Sequence, residues 1–243
     1  MNNTTSSVSI EAARRPRRVR RWALGLVLLL AILGGLSGYG RTLVAPHPER
    51  FAPGVTNDGP ALTAIRQTPV AQAFLRDFQT QAHWSSCGPA SLRNVLHSLD
   101  RPLEHERDLF QGDTAQWLRM LVTGMTLDEV AALAESTGIG PVRVRRDLSE
   151  PEFRALLESL STPGRRLIVN FDRAPIHGVS LGHFSPIGGY EPASDRVLLL
   201  DVTPGFGVQL VPVGLLYAAM HTQDPVSGRL RGLIQIDAGP RDD

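Results

Sequence analysis

An α+β domain is what the sequence predicts, from three observations. Helical periods fill the first two thirds of the stretch after residue 60, short β-rich apolar runs fill the last third, and the roughly 175 residues involved suit one compact core. The first clear helix covers residues 90–99, where Leu92, Val95, Leu96 and Leu99 share a face. "MTLDEVAALAEST" (125–137) repeats that spacing with Leu127, Val130, Ala131 and Ala134, and Thr126 followed three residues later by Glu129 is a capping signature. "SEPEFRALLESL" (149–160) starts as a helix should, with Ser149 ahead of Pro151 and acids in the first turn. Strands are expected at "RLIVNF" (166–171), "GHFSPIGGY" (182–190), "RVLLLDV" (196–202) and "LIQI" (233–236).

Ahead of this domain the composition changes. "RRPRRVRR" (14–21) holds six arginines, and residues 22–40 follow without a charge. At 1.5 Å per residue that run reaches about 28 Å, the thickness of a bilayer's hydrocarbon layer. The expectation is a cytoplasmic Arg-rich segment (1–22), then a transmembrane signal anchor or signal peptide (23–44) in an inner membrane. The domain after residue 60 would stand in the periplasm, anchored or, if the signal is cleaved, secreted there. Residues 45–60, with four prolines and two glycines, read as a linker; 61–236 as the main domain; 237–243 as a tail. Residues 1–22 hold six arginines and Glu11, so the rest of the chain carries 19 basic and 23 acidic residues, a net of −4. That mild acidity, with no basic stripe, argues against a nucleic-acid partner.

Cys87 is the only cysteine, which excludes an internal disulfide and any zinc site built from several thiolates. It stands where Gly88 and Pro89 introduce a helix, and a helix N-terminus favours the thiolate. A thiolate nucleophile needs a base and a group that orients the base. Of the seven histidines (47, 83, 97, 105, 177, 183, 221), His183 lies inside an expected strand, and Asp201 lies in the next one. A hairpin folded about "EPASD" (191–195) pairs residues whose numbers sum to about 386; 183 and 201 sum to 384, so the two side chains fall within reach on one face. Singly, each has a plainer reading: a buried filler thiol, a core histidine, a solvent-facing acid. The oxyanion donors would be the Cys87 N–H and a side-chain amide from Gln79 or Gln81. The scattered histidines show no metal-ligand spacing, so no tightly bound metal or other cofactor is expected.

"TQAHWSSCGPASLRNVLHSL", "GMTLDEV", "IVNFDR", "GHFSPIGGY", "VLLLDV" and "DPVSGRLRG", in this order and spacing, resemble the catalytic domain of phytochelatin synthases, also called glutathione γ-glutamylcysteinyltransferases. The resemblance implies a papain-like fold, its nucleophile helix packed on a C-terminal antiparallel sheet. It implies Cys87, His183 and Asp201 as a catalytic triad and Gln81, rather than Gln79, as the oxyanion-hole side chain. It implies glutathione as substrate, cleaved at its Cys–Gly bond through a γ-glutamylcysteinyl thioester, and a part in metal detoxification. Asn170, Arg173, Asp224 and Arg231 become candidates for holding the γ-glutamyl end. Cadmium or zinc would enter as glutathione thiolate complexes that stimulate the enzyme.

Two departures stand out. Family members commonly carry an arginine and further basic and aromatic residues after the triad aspartate, whereas "VTPGFGVQLVPV" here has no charge, and the cysteine-rich C-terminal region of the plant enzymes has no counterpart in the sequence. Both favour transfer to water, a glutathione hydrolase, over transfer to a second glutathione. The rival expectations are a cysteine peptidase of another substrate and a non-catalytic binder of glutathione or its metal thiolates. A homodimer is left open.

Overall fold

The computed structural model describes residues 22–28, 31 and 45–239. The chain divides into two units, Met1–Leu43 and Val44–Asp243. In the first, residues 22–28 are helical. The expected membrane span at 23–44 is corrected here: no helix among the described residues is long and apolar enough to cross a membrane. Residues 29, 30 and 32–44 of that stretch, and the Arg-rich segment up to residue 21, lie outside the described residues.

The second unit begins with helices α1 (Pro60–Arg66), α2 (Pro69–Leu75), α3 (Cys87–His97), α4 (Thr114–Thr123) and α5 (Leu127–Ser136). Strand β1 (Val142–Arg145) and helix α6 (Glu150–Glu158) follow, then β2 (Arg165–Asp172), the short α7 (Ala174–His177), β3 (Gly182–Glu191), β4 (Arg196–Asp201), β5 (Gly207–Pro212), α8 (Val213–Met220) and β6 (Gly232–Asp237). The six strands form one sheet in the order β1-β6-β2-β3-β4-β5, every neighbouring pair antiparallel. This is the α+β architecture expected, helices first and an antiparallel sheet after.

Both sheet faces are covered. Leu198 and Leu200 join a core with Leu92 and Val95 of α3 and Val130 of α5, whereas Val197 and Leu199 join a second core with Phe153 of α6 and Leu216 of α8. The uninterrupted apolar run of β4 is the sequence trace of this double burial, since a strand wet on one side would alternate. The capping signature at Thr126 is realised, with Thr126 Oγ1 accepting from the Glu129 N–H; Ser149 Oγ likewise accepts from the Glu152 N–H, and each glutamate accepts in return from the backbone N–H of its cap.

Residues 45–60 are not a detached linker. Ala52 donates to the Ile176 carbonyl at 2.9 Å, Thr56 forms a bridge with Leu210 of β5, and the Phe51 ring packs on His177 and Phe206. Nor does the tail begin at 237: Asp237 closes β6 and binds Arg143 and Arg165, while residues 240–243 lie outside the described residues.

Candidate active site

The site is assembled where the start of α3 meets the ends of β2, β3 and β4. Cys87 is the first residue of α3, and the preceding Ser86 does not cap the helix with its side chain. Instead Ser86 Oγ donates to the His83 carbonyl (3.0 Å) and accepts from its N–H (3.1 Å), closing a turn and leaving the first N–H groups of α3 to a ligand. Gly88 permits this seating, since a Cβ there would stand 2.6 Å from Val130 Cγ2. The segment before the turn is held on three sides. Asn94 clamps both backbone groups of Gln79 (2.9 and 2.8 Å), the Ala82 N–H donates to Glu106 Oε1 (2.8 Å), and the Gln81 N–H donates to the Val202 carbonyl (2.7 Å).

His183 and Asp201 meet because of a bulge. Ile187 pairs with Leu199, but Gly189 pairs with Leu198, so β3 carries one extra residue at Gly188. Continuing from Ile187 and Leu199, Ser185 falls opposite Asp201, and His183 lies two residues along on the same face. Without the extra residue His183 would point to the other face. The imidazole Nε2 donates to Asp201 Oδ1 at 3.0 Å, which leaves Nδ1 as the nitrogen that meets Cys87; the ring stands edge-on to Phe171 at 5.6 Å.

Behind Asp201 sits Arg173. One guanidinium nitrogen, Nη2, donates to Asp201 Oδ1 (2.7 Å), Asp201 Oδ2 (2.6 Å) and Thr203 Oγ1 (2.7 Å), and the Thr203 N–H donates to Oδ1 (2.8 Å). Asp201 has no solvent exposure and Arg173 is buried. Burial pushes the Asp201 carboxyl up, but the charges of His183 and Arg173 outweigh it and hold it well below the usual range. Burial also raises the Cys87 thiol; the hydrogen bond and charge of His183, with smaller help from Phe184 and Arg173, bring it below its ordinary value. For His183, burial and Arg173 press downward, and Asp201 with Cys87 lift it above its ordinary value. A lowered thiol beside a raised imidazole favours the thiolate–imidazolium pair.

These groups open on a cleft of about 530 Å³ lined by Gln81, Cys87, Asn170, His183, Asp224 and Arg231. Asn170 of β2 donates to the His183 carbonyl (3.2 Å) and accepts from Arg231 Nη1 (3.3 Å). Arg231, 5% exposed, lies 3.7 Å from Asp224, and its Nε has no partner among the described residues. Gly182 lets it pass, since a Cβ there would stand 2.6 Å from its Nη1. Asp224 is braced by the Ser227 N–H (3.1 Å) and Oγ (2.6 Å); burial pushes its carboxyl up, but those bonds, the Val226 N–H and the charge of Arg231 together outweigh it and hold it below its ordinary value.

Of the residues singled out from the sequence, Cys87, His183, Asp201, Gln81, Asn170, Asp224 and Arg231 come together here. Arg173 does not line the cleft; it is turned inward to Asp201. Gln81 lines the cleft, yet its Nε2 hydrogens go to the His83 (2.8 Å) and Trp84 (3.0 Å) carbonyls. Sequence reasoning missed Thr203 and Phe206, which surround Arg173, and Trp84, Met125, Pro225 and Val226 on the cleft wall. Among the described residues no three His, Cys, Asp or Glu side chains gather to hold a metal ion.

The phytochelatin synthase profile matches residues 64–233, well over half of the chain. Glutathione γ-glutamylcysteinyltransferase 1 of Triticum aestivum is 35% identical over 213 residues, which is 82% of this chain and 42% of that protein. Glutathione γ-glutamylcysteinyltransferase 3 of Lotus japonicus is 34% identical over 170 residues, covering 65% and 36%. The chain thus spans less than half the length of these relatives. Among solved structures, the peptidase domain of Streptococcus ComA, a bifunctional ABC transporter, aligns with a TM-score of 0.46 and 15% identity over 66% of this chain and 97% of that one, a likeness too loose to carry argument. On the extent of the profile match, this chain belongs to the phytochelatin synthase family.

Proposed function

We propose that this chain cleaves the Cys–Gly bond of glutathione through a thioester on Cys87 and passes the γ-glutamylcysteinyl group mainly to water. The observation that carries the reading is a cleft lined by Cys87 and His183, the latter backed by the buried Asp201, that also contains a buried cation, Arg231, beside an anion, Asp224. A γ-glutamyl end presents an α-ammonium and an α-carboxylate, and Asp224 with Arg231 offers one partner to each.

The Cys87 thiolate attacks the carbonyl carbon of the Cys–Gly bond, and the oxyanion is met by the Cys87 N–H at the uncapped start of α3. Gln81 joins if it releases the Trp84 carbonyl. Collapse breaks the C–N bond, the His183 imidazolium gives its proton to the departing glycine nitrogen, and the thioester remains. Neutral His183 then takes a proton from water, the hydroxide adds to the thioester, and the Cys87 thiolate leaves. Asp201 keeps the imidazole tautomer fixed throughout.

Water as the main acceptor is supported by the charge inventory: among the described residues Arg231 is the one arginine lining the cleft, and the stretch after Asp201 contributes no cation for an acceptor's carboxylates. Cadmium or zinc would act as glutathione thiolate complexes. The test is product analysis after incubating the protein with reduced glutathione, with and without cadmium. Free γ-glutamylcysteine and glycine in equal amounts are expected; accumulation of (γ-Glu-Cys)2-Gly would overturn the hydrolytic reading, and untouched glutathione would overturn the whole of it.

A further inference from the structure

The contact between Arg173 and Asp201 leaves one degree of freedom unexplained. A guanidinium that offers its fork to a carboxylate is held flat by two parallel bonds. Here Nη2 alone makes all three contacts, and Nε has no partner among the described residues. An end-on contact of that kind lets the guanidinium plane turn about the contacting nitrogen, so something else must fix it.

That something is a ring. The Arg173 guanidinium carbon lies 4.1 Å from the centroid of Phe206, in the turn between β4 and β5. Phe206 is in turn packed by His177 at 4.9 Å and by Phe51 at 5.8 Å, the latter nearly parallel at 19°. Phe51 belongs to residues 45–56, which are tied to the domain by the Ala52 and Thr56 bonds and whose Pro46 abuts Gly205, next to Phe206; a Cβ on Gly205 would stand 3.1 Å from Pro46 Cγ. His177 is buried and donates from Nε2 to Gln209 Oε1 at 2.8 Å. Burial carries its pKa down to about 4, so it adds no second positive charge beside Arg173 near neutrality.

We infer that Phe206 is a positioning residue: seated under Arg173 and backed by Phe51, it sets the plane of the guanidinium and through it the place of Asp201 against His183. Residues 45–56 thereby complete the site from behind rather than serving as a tether. The inference rests on the reading of Cys87, His183 and Asp201 as the reacting set.

The consequence is readable in pH. The charges that act on Cys87 are His183 of β3 and Arg173 after β2; those that act on His183 are Arg173, Asp201 of β4 and Cys87; those on Asp201 are His183 and Arg173; and His177 of α7 feels Asp201, Arg173 and His183. Arg173 lowers both the thiol and the imidazole. Loosening it therefore raises both, and the window in which the thiolate–imidazolium pair exists moves to higher pH.

The experiment compares Phe206→Leu, Phe206→Tyr and Phe51→Leu in the full chain. It reads the pH dependence of Cys87 alkylation by iodoacetamide, kcat and KM for glutathione, and thermal unfolding. In Phe206→Leu the alkylation curve and the kcat/KM profile should both move to higher pH, with kcat down about 10- to 100-fold and KM within about twofold. Phe206→Tyr, which keeps the ring, should match the parent, and Phe51→Leu should move the curve the same way by less. A folded Phe206→Leu with the parent's alkylation curve would overturn the inference. If that variant does not fold, Phe51→Leu decides, and the parent's curve in it is the contrary result. Because alkylation needs no substrate, a protein that leaves glutathione untouched would sink the proposed reaction without deciding this point.

Discussion

Asp201 binds two cations at once, His183 and Arg173, in a place with no solvent. From the sequence alone, Asp201→Asn disturbs only the tautomer of His183. The structure adds a second cost, since the amide leaves the Arg173 charge buried and unpaired, which destabilises by about 3–5 kcal/mol. Urea unfolding at neutral pH should show that loss beside the fall in kcat. The pH dependence follows from the sign of the shift. The folded carboxyl is held below its unfolded value of about 4, so its contribution is present above pH ~4 and is lost as pH falls toward the folded value. The gap between parent and Asp201→Asn should therefore close in acid; a gap that persists there would contradict the pairing. Cys87, His183 and Asp201 were legible as candidates in the sequence because the first is the chain's one cysteine and the other two are polar residues set inside β-rich apolar runs. Arg173 was legible as important but not as inward-facing: it follows β2, whose alternation ends before it, and no pattern says which way a strand-end side chain turns.

At the scale of elements, the register of one hairpin decides the site. The sum of 386 read from the sequence is the register of Ile187 with Leu199, and the shift to Gly189 with Leu198 is the bulge that no residue pattern announced. Strands β1 and β5 were not seen. "VRVR" is too short and too charged to read as a strand, and "GVQLVP" begins with Gly and ends with Pro; their pairing partners β6 and β4 supply what local preference does not. The nucleophile helix tests how tightly an element must be seated. Gly88→Ala forces a Cβ against Val130, so it should cost about 1–3 kcal/mol in unfolding and lower kcat, because relief requires Cys87 to move. The matching control is Ser149→Ala, which removes the cap of α6, outside the cleft. It should cost about 1 kcal/mol with kcat unchanged, and a large fall in kcat would mean that the site depends on the far layer.

At the scale of the molecule, the sheet is a middle layer, and its two faces serve different ends. The α1–α5 side brings Cys87, and the opposite side, with α7 and residues 45–56, supplies the wall behind Asp201. Proline and glycine density made 45–60 look like a tether, since composition reports the absence of regular structure and not the absence of contact. A chain beginning at residue 45 should thus keep its melting temperature and its activity. One beginning at residue 60 should melt lower and react slowly, and equal behaviour of the two would contradict the role given to this segment.

The most direct test of the account is the intact mass of the protein, acid-quenched during reaction with reduced glutathione. The account predicts an adduct of one γ-glutamylcysteinyl group, located on Cys87, labile to hydroxylamine as a thioester is, and absent from Cys87→Ala, which should consume no glutathione. Glutathione cleaved at the parent's rate by Cys87→Ala, or an adduct on any other residue, would contradict it.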